Sequence, residues 1–460
     1  MAKKIIIIGA GPAGYVGAIK AAKLGAEVTV IEKDTVGGTC LNRGCIPTKA
    51  LLASSDVLTN VKEAKSFGIN IEGTVTPDIN AIMDRKDKVV GRLVEGIEFL
   101  FRKNGVNLVK GNARLVSKNE VMVTKADGTE EKLQADAIII CTGSSPARIP
   151  IFPYDGKRVL TSDEALNLRE IPKSMIIVGA GVIGCEFGMF YNNMGTKVTM
   201  VEMMEHALPL EDKEMGEELA KIFKRKKIKL MLSTKIEKAE LTENGVKAVL
   251  GDGSEIEAEI MLVAIGRKAN TSDLGLEEVG VEMDRGRILV NEYMQTNIET
   301  IYAAGDVIPG AQLAHLASFE CECAVENIMG EPTKMDYSAV PRGVFIDPEV
   351  AGVGLTEEEA IAKGYKIKKG YFDFRGLGKA QAMGQLLGKV KIIADEETDK
   401  ILGAAIIGPH ATDLIHELVP AVKYGLTAKQ MGMAIHSHPS LSEAVMEALQ
   451  DVNGLSAHKV

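Results

Sequence analysis

One glycine-rich pattern occurs twice in this chain and constrains its fold more than any other feature. GAGPAG at residues 9–14 and GAGVIG at residues 179–184 each follow an apolar run and open a helical stretch. Each helical stretch leads into an alternating run that ends in an acid, Glu32 or Glu202, so the two passages superpose at a fixed offset of 170 residues. This order of strand, glycine-rich turn, helix and strand predicts a βαβ unit that binds a dinucleotide.

The later parts of the two passages also correspond. Each continues into a β region with an Asp-Gly hairpin signal and closes on an apolar strand, AIIICTG in the first copy and IMLVAIG in the second. From about residue 335 the pattern changes to strands near residues 344–346, 389–394 and 403–407, followed by helices. We therefore predict an α/β fold with two Rossmann-like domains and a C-terminal α+β domain. The predicted divisions are residues 1–145 (first dinucleotide domain), 146–266 (second dinucleotide domain), 267–334 (a central segment that completes the first domain) and 335–460 (the C-terminal domain).

The composition limits the partners of such a chain. Hydrophobic residues make up 46% and charged residues 25%, as in ordinary globular proteins. The formal net charge of −9 has the wrong sign for nucleic acid or anionic membranes. The longest apolar run, residues 175–185, is shorter than the roughly 20 residues of a spanning helix, and no export cleavage site follows the opening strand. We therefore expect no nucleic acid partner, no membrane partner and a cytoplasmic location.

The two glycine-rich turns suit a specific chemistry. Their glycines let backbone N–H groups approach a pyrophosphate at a helix N-terminus, and the acid accepts hydrogen bonds from ribose hydroxyls. Tight turns without a ligand are the alternative, which the repetition of the full context disfavours. In the second copy, Glu202 repels a 2′-phosphate, and Met203 and Met204 supply no cation to hold one. The second copy therefore favours NAD over NADP.

Two cysteines with four residues between them, Cys40 and Cys45, suggest redox chemistry. Positions i and i+5 of a regular helix do not face each other, so a bond between these sulfurs requires a distorted turn, which Gly44 and Pro47 permit. A strained and accessible pair in a reducing compartment is typical of a redox couple. The alternative is a pair of unrelated buried thiols, which the neighbouring dinucleotide fold disfavours.

The segment HSHPSLSEA places His438 five residues before Glu443, ahead of a C-terminal helix. One interpretation is an acid–base pair. The alternatives are a surface or interface histidine, and a capping box in which Glu443 and Ser440 only terminate the helix. The sequence alone leaves these alternatives open.

Two further cysteines, Cys321 and Cys323, alternate on a predicted helix and so face different ways. This spacing argues against a shared metal site, and core or interface packing is the better interpretation. We predict no metal site in the chain.

Together these motifs resemble the flavoprotein disulfide reductase family, the pyridine nucleotide-disulfide oxidoreductases, over essentially the whole chain. GAGPAG with its acid is similar to the family's FAD-binding start, GGTCLNRGC to its redox cysteines, GAGVIG with its acid to its nicotinamide site, and AAGD to its second FAD contact. The resemblance therefore implies FAD and NAD as cofactors. The residues expected to contact them are Gly9, Gly11, Gly14, Glu32, Lys49, Gly143, Gly179, Gly181, Gly184, Glu186, Glu202, Gly266, Asp306 and Ala314.

The resemblance also implies a reaction. CLNRGCIPTKALL and HSHPSLSEA resemble the branch of the family that oxidises protein-bound dihydrolipoamide with NAD+ more closely than the branches that reduce glutathione disulfide or mercuric ion. Cys40 would exchange with the substrate, Cys45 would face the flavin, and His438, held by Glu443, would remove the thiol proton. A pair of Lys49 with the acid at position 186 would tune the flavin, and Asp306 would bind its ribityl chain.

The implied partners follow from the same resemblance. In the family the histidine reaches the cysteines of the other subunit, so a homodimer is expected. Lipoyl domains of acyltransferases or of glycine cleavage H-type proteins are the expected substrates, and we expect no lipoyl domain in this chain, which starts at its first strand. Two alternatives stay open: a reductase for another small disulfide, such as that of coenzyme A or glutathione, and a flavin- and NAD-binding redox sensor without turnover.

Overall fold

The computed structural model of this chain describes residues 2–459, which form two compact units. The first unit comprises residues 2–51, 78–147 and 266–336, and the second comprises residues 52–77, 148–265 and 337–459. Within residues 2–459, every helix is too short or too polar to cross a bilayer. The division of the chain into four functional domains stays a prediction.

Helices and strands alternate along most of the chain. The helices are α1 (Pro12–Lys23), α2 (Gly38–Arg43), α3 (Cys45–Glu63), α4 (Ile79–Asn104), α5 (Ser162–Ala165), α6 (Val182–Met194), α7 (Lys213–Arg225), α8 (Leu276–Val279), α9 (Ala314–Met329), α10 (Glu357–Ala362), α11 (Gly378–Met383), α12 (Ala411–Leu414), α13 (Leu418–Lys423), α14 (Ala428–Gly432) and α15 (Glu443–Asp451). Short 3-10 turns occupy Ala64–Phe67, Phe374–Gly376 and Ile415–Glu417. The strands are β1 (Lys4–Ile8), β2 (Glu27–Glu32), β3 (Asn107–Lys110), β4 (Asn112–Ser117), β5 (Glu120–Thr124), β6 (Glu130–Gln134), β7 (Ala137–Ile140), β8 (Ser144–Pro146), β9 (Val159–Leu160), β10 (Ser174–Val178), β11 (Lys197–Val201), β12 (Lys229–Met231), β13 (Ile236–Leu241), β14 (Val246–Leu250), β15 (Glu255–Ala258), β16 (Ile260–Val263), β17 (Arg267–Ala269), β18 (Met283–Asp284), β19 (Arg287–Ile288), β20 (Ile301–Ala303), β21 (Arg342–Val344), β22 (Glu349–Gly354), β23 (Ile367–Asp373), β24 (Lys389–Asp395) and β25 (Ile401–Gly408).

The core of the first unit is a five-stranded parallel sheet in the order β20-β7-β1-β2-β3. Ile7 of β1 pairs with Val30 on one side and Ile139 on the other, and all three side chains are buried. A strand that is buried on both faces reads as an unbroken apolar run, which explains the IIII and AIII segments of β1 and β7. A three-stranded antiparallel sheet, β4-β5-β6, carries the Asp-Gly hairpin.

The second unit repeats this plan. Its parallel sheet has the order β12-β11-β10-β16-β9, in which β10, β11, β12 and β16 occupy the places of β1, β2, β3 and β7. The three-stranded sheet β13-β14-β15 matches the hairpin region of the first unit. The repeat and the α/β fold class are therefore confirmed, and only the strand at the far end comes from a different part of the chain in each copy.

The C-terminal region of the second unit forms a five-stranded antiparallel sheet, β21-β22-β25-β24-β23, with short helices packed against it. The predicted strand at residues 344–346 is displaced, because β21 ends at Val344. Beyond it, the backbone N–H of Phe345 donates to the Glu186 carboxylate at 3.0 Å instead of joining the sheet. Strands β22 and β23 were not predicted.

Two small residues let α1 and α9 approach each other in the first unit. A Cβ atom at Gly17 would lie 2.3 Å from the Cys321 sulfur, so the thiol fills the space that the glycine leaves open. The same sulfur lies 3.8 Å from the Cys141 sulfur in the core. Cys323 is also buried, and its thiol donates to the Thr333 carbonyl, so core packing of Cys321 and Cys323 is confirmed.

Candidate functional site

The first glycine-rich turn connects β1 to α1. Gly9 has φ +105°, and a Cβ atom there would lie 2.3 Å from the Cys141 carbonyl oxygen, so only glycine fits. A Cβ atom at Gly14 would lie 1.8 Å from the Gly9 carbonyl oxygen, which allows the helix to pack directly on the turn. Gly11 caps α1 without a side chain, so the first N–H groups of the helix stay available to an anion.

Glu32 closes β2 and is tied to this turn through both of its oxygens. One oxygen accepts a hydrogen bond from the Ala10 N–H at 2.8 Å, and the other accepts from the Asp34 N–H at 2.7 Å. Each carboxylate oxygen has a second lone pair, so a ribose hydroxyl can still donate to it. The predicted turn and acid are thus brought together at one end of the sheet.

The second turn reproduces this arrangement atom by atom. A Cβ atom at Gly184 would lie 2.0 Å from the Gly179 carbonyl oxygen, and Gly181 caps α6 without a side chain. The Glu202 carboxylate accepts from the Ala180 N–H at 2.7 Å and from the Met204 N–H at 2.8 Å. A Cβ atom at Gly181 would meet nothing within 4 Å, so there is open space where a pyrophosphate is expected.

The cysteine segment begins against the first turn. A Cβ atom at Gly38, the first residue of α2, would lie 2.6 Å from the Cα of Gly11. The predicted distortion is present, because α2 ends at Arg43 and α3 begins at Cys45, with Gly44 between them at φ −147° and ψ −112°.

The side chains of Cys40 and Cys45 are in contact with each other. A hydrogen bond to Cys45, followed by burial, raises the pKa of the Cys40 thiol well above its ordinary value, whereas the charge of Lys49 acts in the opposite direction. The Cys40 thiol is therefore held in its neutral form, and forming its reactive thiolate requires a base or a nearby cation. A disulfide between them stays a prediction.

Two residues beside Cys40 and Cys45, Tyr15 and Arg43, have contacts that the sequence does not predict. Burial, and then the neighbouring Cys40, raises the pKa of the Tyr15 hydroxyl, which projects from α1. Arg43, between the cysteines, forms an ion pair with Asp34. Burial acts to raise the pKa of Asp34, but the ion pair lowers this pKa below its ordinary value. No spacing rule in the sequence points to either contact, because each joins different segments of the first unit.

Asp306 follows β20 and lies in a polar cluster of the first unit. Its carboxylate accepts from the Ser144 hydroxyl, and the Arg267 Nε lies 3.9 Å from the same oxygen. Arg267 also donates to the Ser144 hydroxyl at 2.7 Å. Ser144 and Arg267 were not predicted, although each directly follows a predicted glycine, Gly143 or Gly266.

The remaining predicted cofactor residues occupy the ends of elements. Gly143 and Gly266 have positive φ, and a Cβ atom at either would meet nothing within 4 Å. Ala314 is the first residue of α9, a helix without a side-chain cap. Glu186 is buried in α6 and accepts from the backbone of Phe345, so its pairing with Lys49 stays a prediction. The open glycine positions and uncapped helix starts fit two dinucleotides.

His438 and Glu443 form a direct pair in the second unit. The Nδ1 atom of His438 lies 2.8 Å from a Glu443 oxygen, and the other oxygen accepts from the Ser440 N–H at 2.8 Å. Burial acts to raise the pKa of Glu443, but the Ser440 N–H and His438 together hold it below its ordinary value. The His438 side chain is 78% exposed, so its Nε2 edge is accessible to another molecule.

Only one of the two hydrogen bonds of the capping box between Ser440 and Glu443 is present. Glu443 does receive the Ser440 N–H, but the Ser440 hydroxyl bonds to the Ser442 hydroxyl instead of closing the box on the helix. The N-cap of α15 is Ser442, which makes no side-chain capping bond. Glu443 therefore serves the histidine and the turn together. In the part of the chain that the structure describes, no group of three or more His, Cys, Asp or Glu residues is arranged to hold a metal.

The chain matches two family models. The model for pyridine nucleotide-disulphide oxidoreductases matches residues 3–321, and the model for the dimerisation domain of the same family matches residues 340–449.

Full-length relatives agree with these matches. The chain is 42% identical to the dihydrolipoyl dehydrogenase of Bacillus subtilis, over 99% of this chain and 98% of that protein. It is 43% identical to the leghemoglobin reductase of Vigna unguiculata, over 96% of this chain and 86% of that protein. Among solved structures, LpdA from Mycobacterium tuberculosis superposes with a TM-score of 0.92 at 30% identity, covering 98% of this chain and 99% of that one.

The geometry and the comparisons lead to the same assignment. Two glycine turns with tethered acids, a cysteine pair at a helix break and a C-terminal dimerisation domain occur together in one chain. FAD and NAD are the cofactors of this kind of enzyme. The chain belongs to the pyridine nucleotide-disulphide oxidoreductase family, and it is an oxidoreductase that uses FAD and NAD.

Proposed function

We propose that this chain is a dihydrolipoyl dehydrogenase, which oxidises dihydrolipoamide on lipoyl domains to lipoamide and reduces NAD+ to NADH. The observation that carries the proposal is the contacting pair of Cys40 and Cys45, at a helix break against the first glycine turn. The names of full-length relatives support the choice of substrate, since several at 41–44% identity are dihydrolipoyl dehydrogenases.

The two dinucleotides have separate places in this proposal. Residues of the first unit hold FAD, with its pyrophosphate at the start of α1, its ribose at Glu32 and its ribityl chain at Asp306. Residues of the second unit hold NAD at the start of α6 and at Glu202. When bound, FAD would supply an acceptor for the electron pair of the reduced cysteines, and NAD+ would supply the final hydride acceptor.

The cysteines perform the thiol chemistry. In the oxidised enzyme, a dihydrolipoamide thiolate attacks Cys40 in the Cys40–Cys45 disulfide, so a mixed disulfide forms and Cys45 leaves as a thiolate. The second substrate thiol then displaces Cys40, which releases lipoamide and leaves two reduced cysteines. Two electrons have passed from substrate to enzyme, and two protons must be taken up.

One of these protons stays on the Cys40 thiol that leaves in the second exchange, and His438 takes up the other. Its Nδ1–H donates to Glu443, which leaves Nε2 as the free basic atom that can face a substrate thiol. The carboxylate stabilises the imidazolium that forms, because a low pKa keeps Glu443 charged. General base catalysis of this kind contributes about 10²- to 10⁴-fold to a rate.

The proposal includes a homodimer, supported by the dimerisation domain at residues 340–449. In the dimer, His438 of one subunit serves the cysteines of its partner. The macromolecular substrates are lipoyl domains of acyltransferases or of glycine cleavage H-type proteins. The proposal places the enzyme in a reducing compartment such as the cytoplasm, where a disulfide between Cys40 and Cys45 can open and close as a redox couple.

An anaerobic titration tests the proposed function. Dihydrolipoamide is added to the purified holoenzyme while its visible spectrum is recorded. We expect a flavin spectrum that gains a long-wavelength absorption band, because cysteine thiolates then lie beside the oxidised ring. A flavin spectrum that does not respond to dihydrolipoamide would reject the substrate.

Parallel measurements separate the rival substrates. Turnover with NADH is compared for lipoamide, glutathione disulfide and coenzyme A disulfide at equal concentrations. The proposal expects lipoamide to be preferred by at least about tenfold in kcat/KM. A higher kcat/KM for either of the other disulfides would assign the chain to another branch of the family.

A further inference from the structure

Two methionines lie on the surface next to the second glycine turn. The side chains of Met203 and Met204 are 65% and 51% exposed. Among the methionines of residues 2–459, only Met433 is also an exposed side chain, at 74%. The adjacent strand ends with Met200 and Val201 fully buried, so exposure begins where the chain leaves the sheet.

The backbone of this pair is fixed to the acid that we assign to the NAD ribose. The Met204 N–H donates to Glu202 at 2.8 Å, and the Met204 carbonyl accepts from the Ser233 N–H at 2.9 Å. A chemical change in either side chain therefore occurs beside Glu202 and leaves the main chain in place. The corresponding positions after Glu32 are Lys33 and Asp34, so sulfur occurs at only one of the two copies.

We propose that Met203 and Met204 form an oxidation site that weakens NAD binding when it is modified. This inference rests on the proposed placement of NAD at the second turn. A peroxide transfers one oxygen atom to a thioether sulfur; the O–O bond breaks, the sulfur loses two electrons, and the peroxide is reduced to water or an alcohol. The product, methionine sulfoxide, is reduced enzymatically back to the thioether.

The expected effect follows from the change in polarity. A thioether offers an apolar, polarisable surface to the adenosine end of the dinucleotide. A sulfoxide instead presents a strong acceptor oxygen beside the Glu202 carboxylate, which is itself an acceptor. Two neighbouring acceptors compete for the same ribose hydroxyl donors, and the polar side chains keep water that an adenosine must displace.

The experiment compares three forms of the holoenzyme: the natural chain, the M203L/M204L variant and a matched M433L control. Each is exposed to hydrogen peroxide and then reduced with dithiothreitol, which restores the cysteines and leaves sulfoxides in place. Peptide masses locate the added oxygen atoms, and NADH affinity is measured by direct binding.

We expect oxygen to be added at positions 203 and 204 before any buried methionine, with a loss of NADH affinity of about fivefold. The M433L control should lose the same affinity, M203L/M204L should lose none, and methionine sulfoxide reductase should restore the natural chain. Peroxide-treated M203L/M204L that weakens equally, or a natural chain that is oxidised at both positions with unchanged affinity, would overturn the inference.

Glu202→Gln separates this inference from the function on which it rests. If Glu202→Gln leaves NADH affinity unchanged, the assignment of NAD to the second turn is wrong. If Glu202→Gln weakens NADH binding while oxidation of the methionines does not, only the methionine inference is wrong.

Discussion

The two glycine turns have the same local structure and different surroundings. In both, a glutamate accepts two backbone N–H groups, from the residue after the first glycine and from the residue two positions beyond the acid. Beyond the acid they diverge. The first turn is contacted by α2, since a Cβ atom at Gly38 would lie 2.6 Å from Gly11, whereas a Cβ atom at Gly181 would meet nothing within 4 Å.

In the proposed function, this difference separates a retained ligand, FAD, from an exchanging one, NAD. In the proposed function, the FAD pyrophosphate at the first turn lies next to α2, which carries Cys40, so its departure would require that helix to move. The proposed NAD site at the second turn borders open space and exposed methionines, as suits a cosubstrate that must leave in every cycle. The same βαβ unit can thus hold either a retained or an exchanging dinucleotide, and the segment that follows its acid makes the difference.

The largest effect is expected from a substitution that removes the thiol chemistry and leaves both glycine turns intact. Cys45→Ser lowers dihydrolipoamide turnover roughly 10³-fold or more, because a hydroxyl cannot form the disulfide. Flavin content and NADH affinity should stay unchanged, as measured by absorbance and direct binding. Cys323→Ala, away from the cysteine helix, is the matched control; full turnover by Cys45→Ser would refute the role of the pair.

The next effect tests the separation of the two turns. Gly14→Ala and Gly184→Ala each force a Cβ atom to within about 2 Å of a carbonyl oxygen, which costs about 1–3 kcal/mol of unfolding free energy. Gly14→Ala should lose flavin on gel filtration, whereas Gly184→Ala should retain flavin and bind NADH weakly.

A glycine without such a contact is the control for that pair. Gly96 lies on the exposed side of α4, where a Cβ atom would meet nothing within 4 Å. Gly96→Ala should raise the unfolding free energy by about 0.5–1 kcal/mol, because alanine suits a helix interior better. Equal flavin loss from Gly14→Ala and Gly184→Ala would erase the proposed difference between the turns.

A smaller effect is expected from replacing the acid that follows each turn, Glu202 or Glu32. Glu202→Gln replaces one acceptor oxygen with an NH₂ group that cannot receive the Ala180 or Met204 N–H, so we expect the KM for NADH to rise about tenfold, or 1.4 kcal/mol. Glu32→Gln should leave this KM unchanged and increase flavin loss during dialysis. Steady-state kinetics and flavin absorbance provide the two readings.

The smallest expected effect concerns the 2′-phosphate. Met204→Arg adds a cation next to Glu202, so the ratio of kcat/KM for NADPH to that for NADH should rise by about threefold, limited by the acid that remains. Met433→Arg is the control with the same charge change elsewhere. A ratio that falls in Met204→Arg would place the ribose away from this surface.

Much of the fold could be predicted because the repeat combines local signals. Apolar strands, glycine turns and terminal acids all lie within about 30 residues of one another, where pattern and spacing determine structure. The C-terminal sheet was harder: β21 ends at Val344 because the next N–H donates to Glu186, a residue more than 150 positions earlier. Contacts between residues so far apart follow no periodic pattern in the sequence, so a local pattern cannot predict them.

The candidate site shows the same division. The acids, the glycines and the helix break at Gly44 follow from local geometry, and the structure places them as expected. The cluster of Ser144 and Arg267 around Asp306 joins three separate segments, so no single motif reveals it. Glu443 was open to two interpretations because its two oxygens bond to different partners, His438 and Ser440.

The contact between Gly17 and Cys321 has a consequence for how the sequence can change over evolution. Since the thiol occupies the volume that a side chain at position 17 would fill, the two positions share one fixed amount of space. A larger residue at position 17 of α1 is compatible with the fold only if a smaller residue replaces Cys321 on α9. These positions are therefore expected to change in pairs among relatives, each acting as the other's constraint.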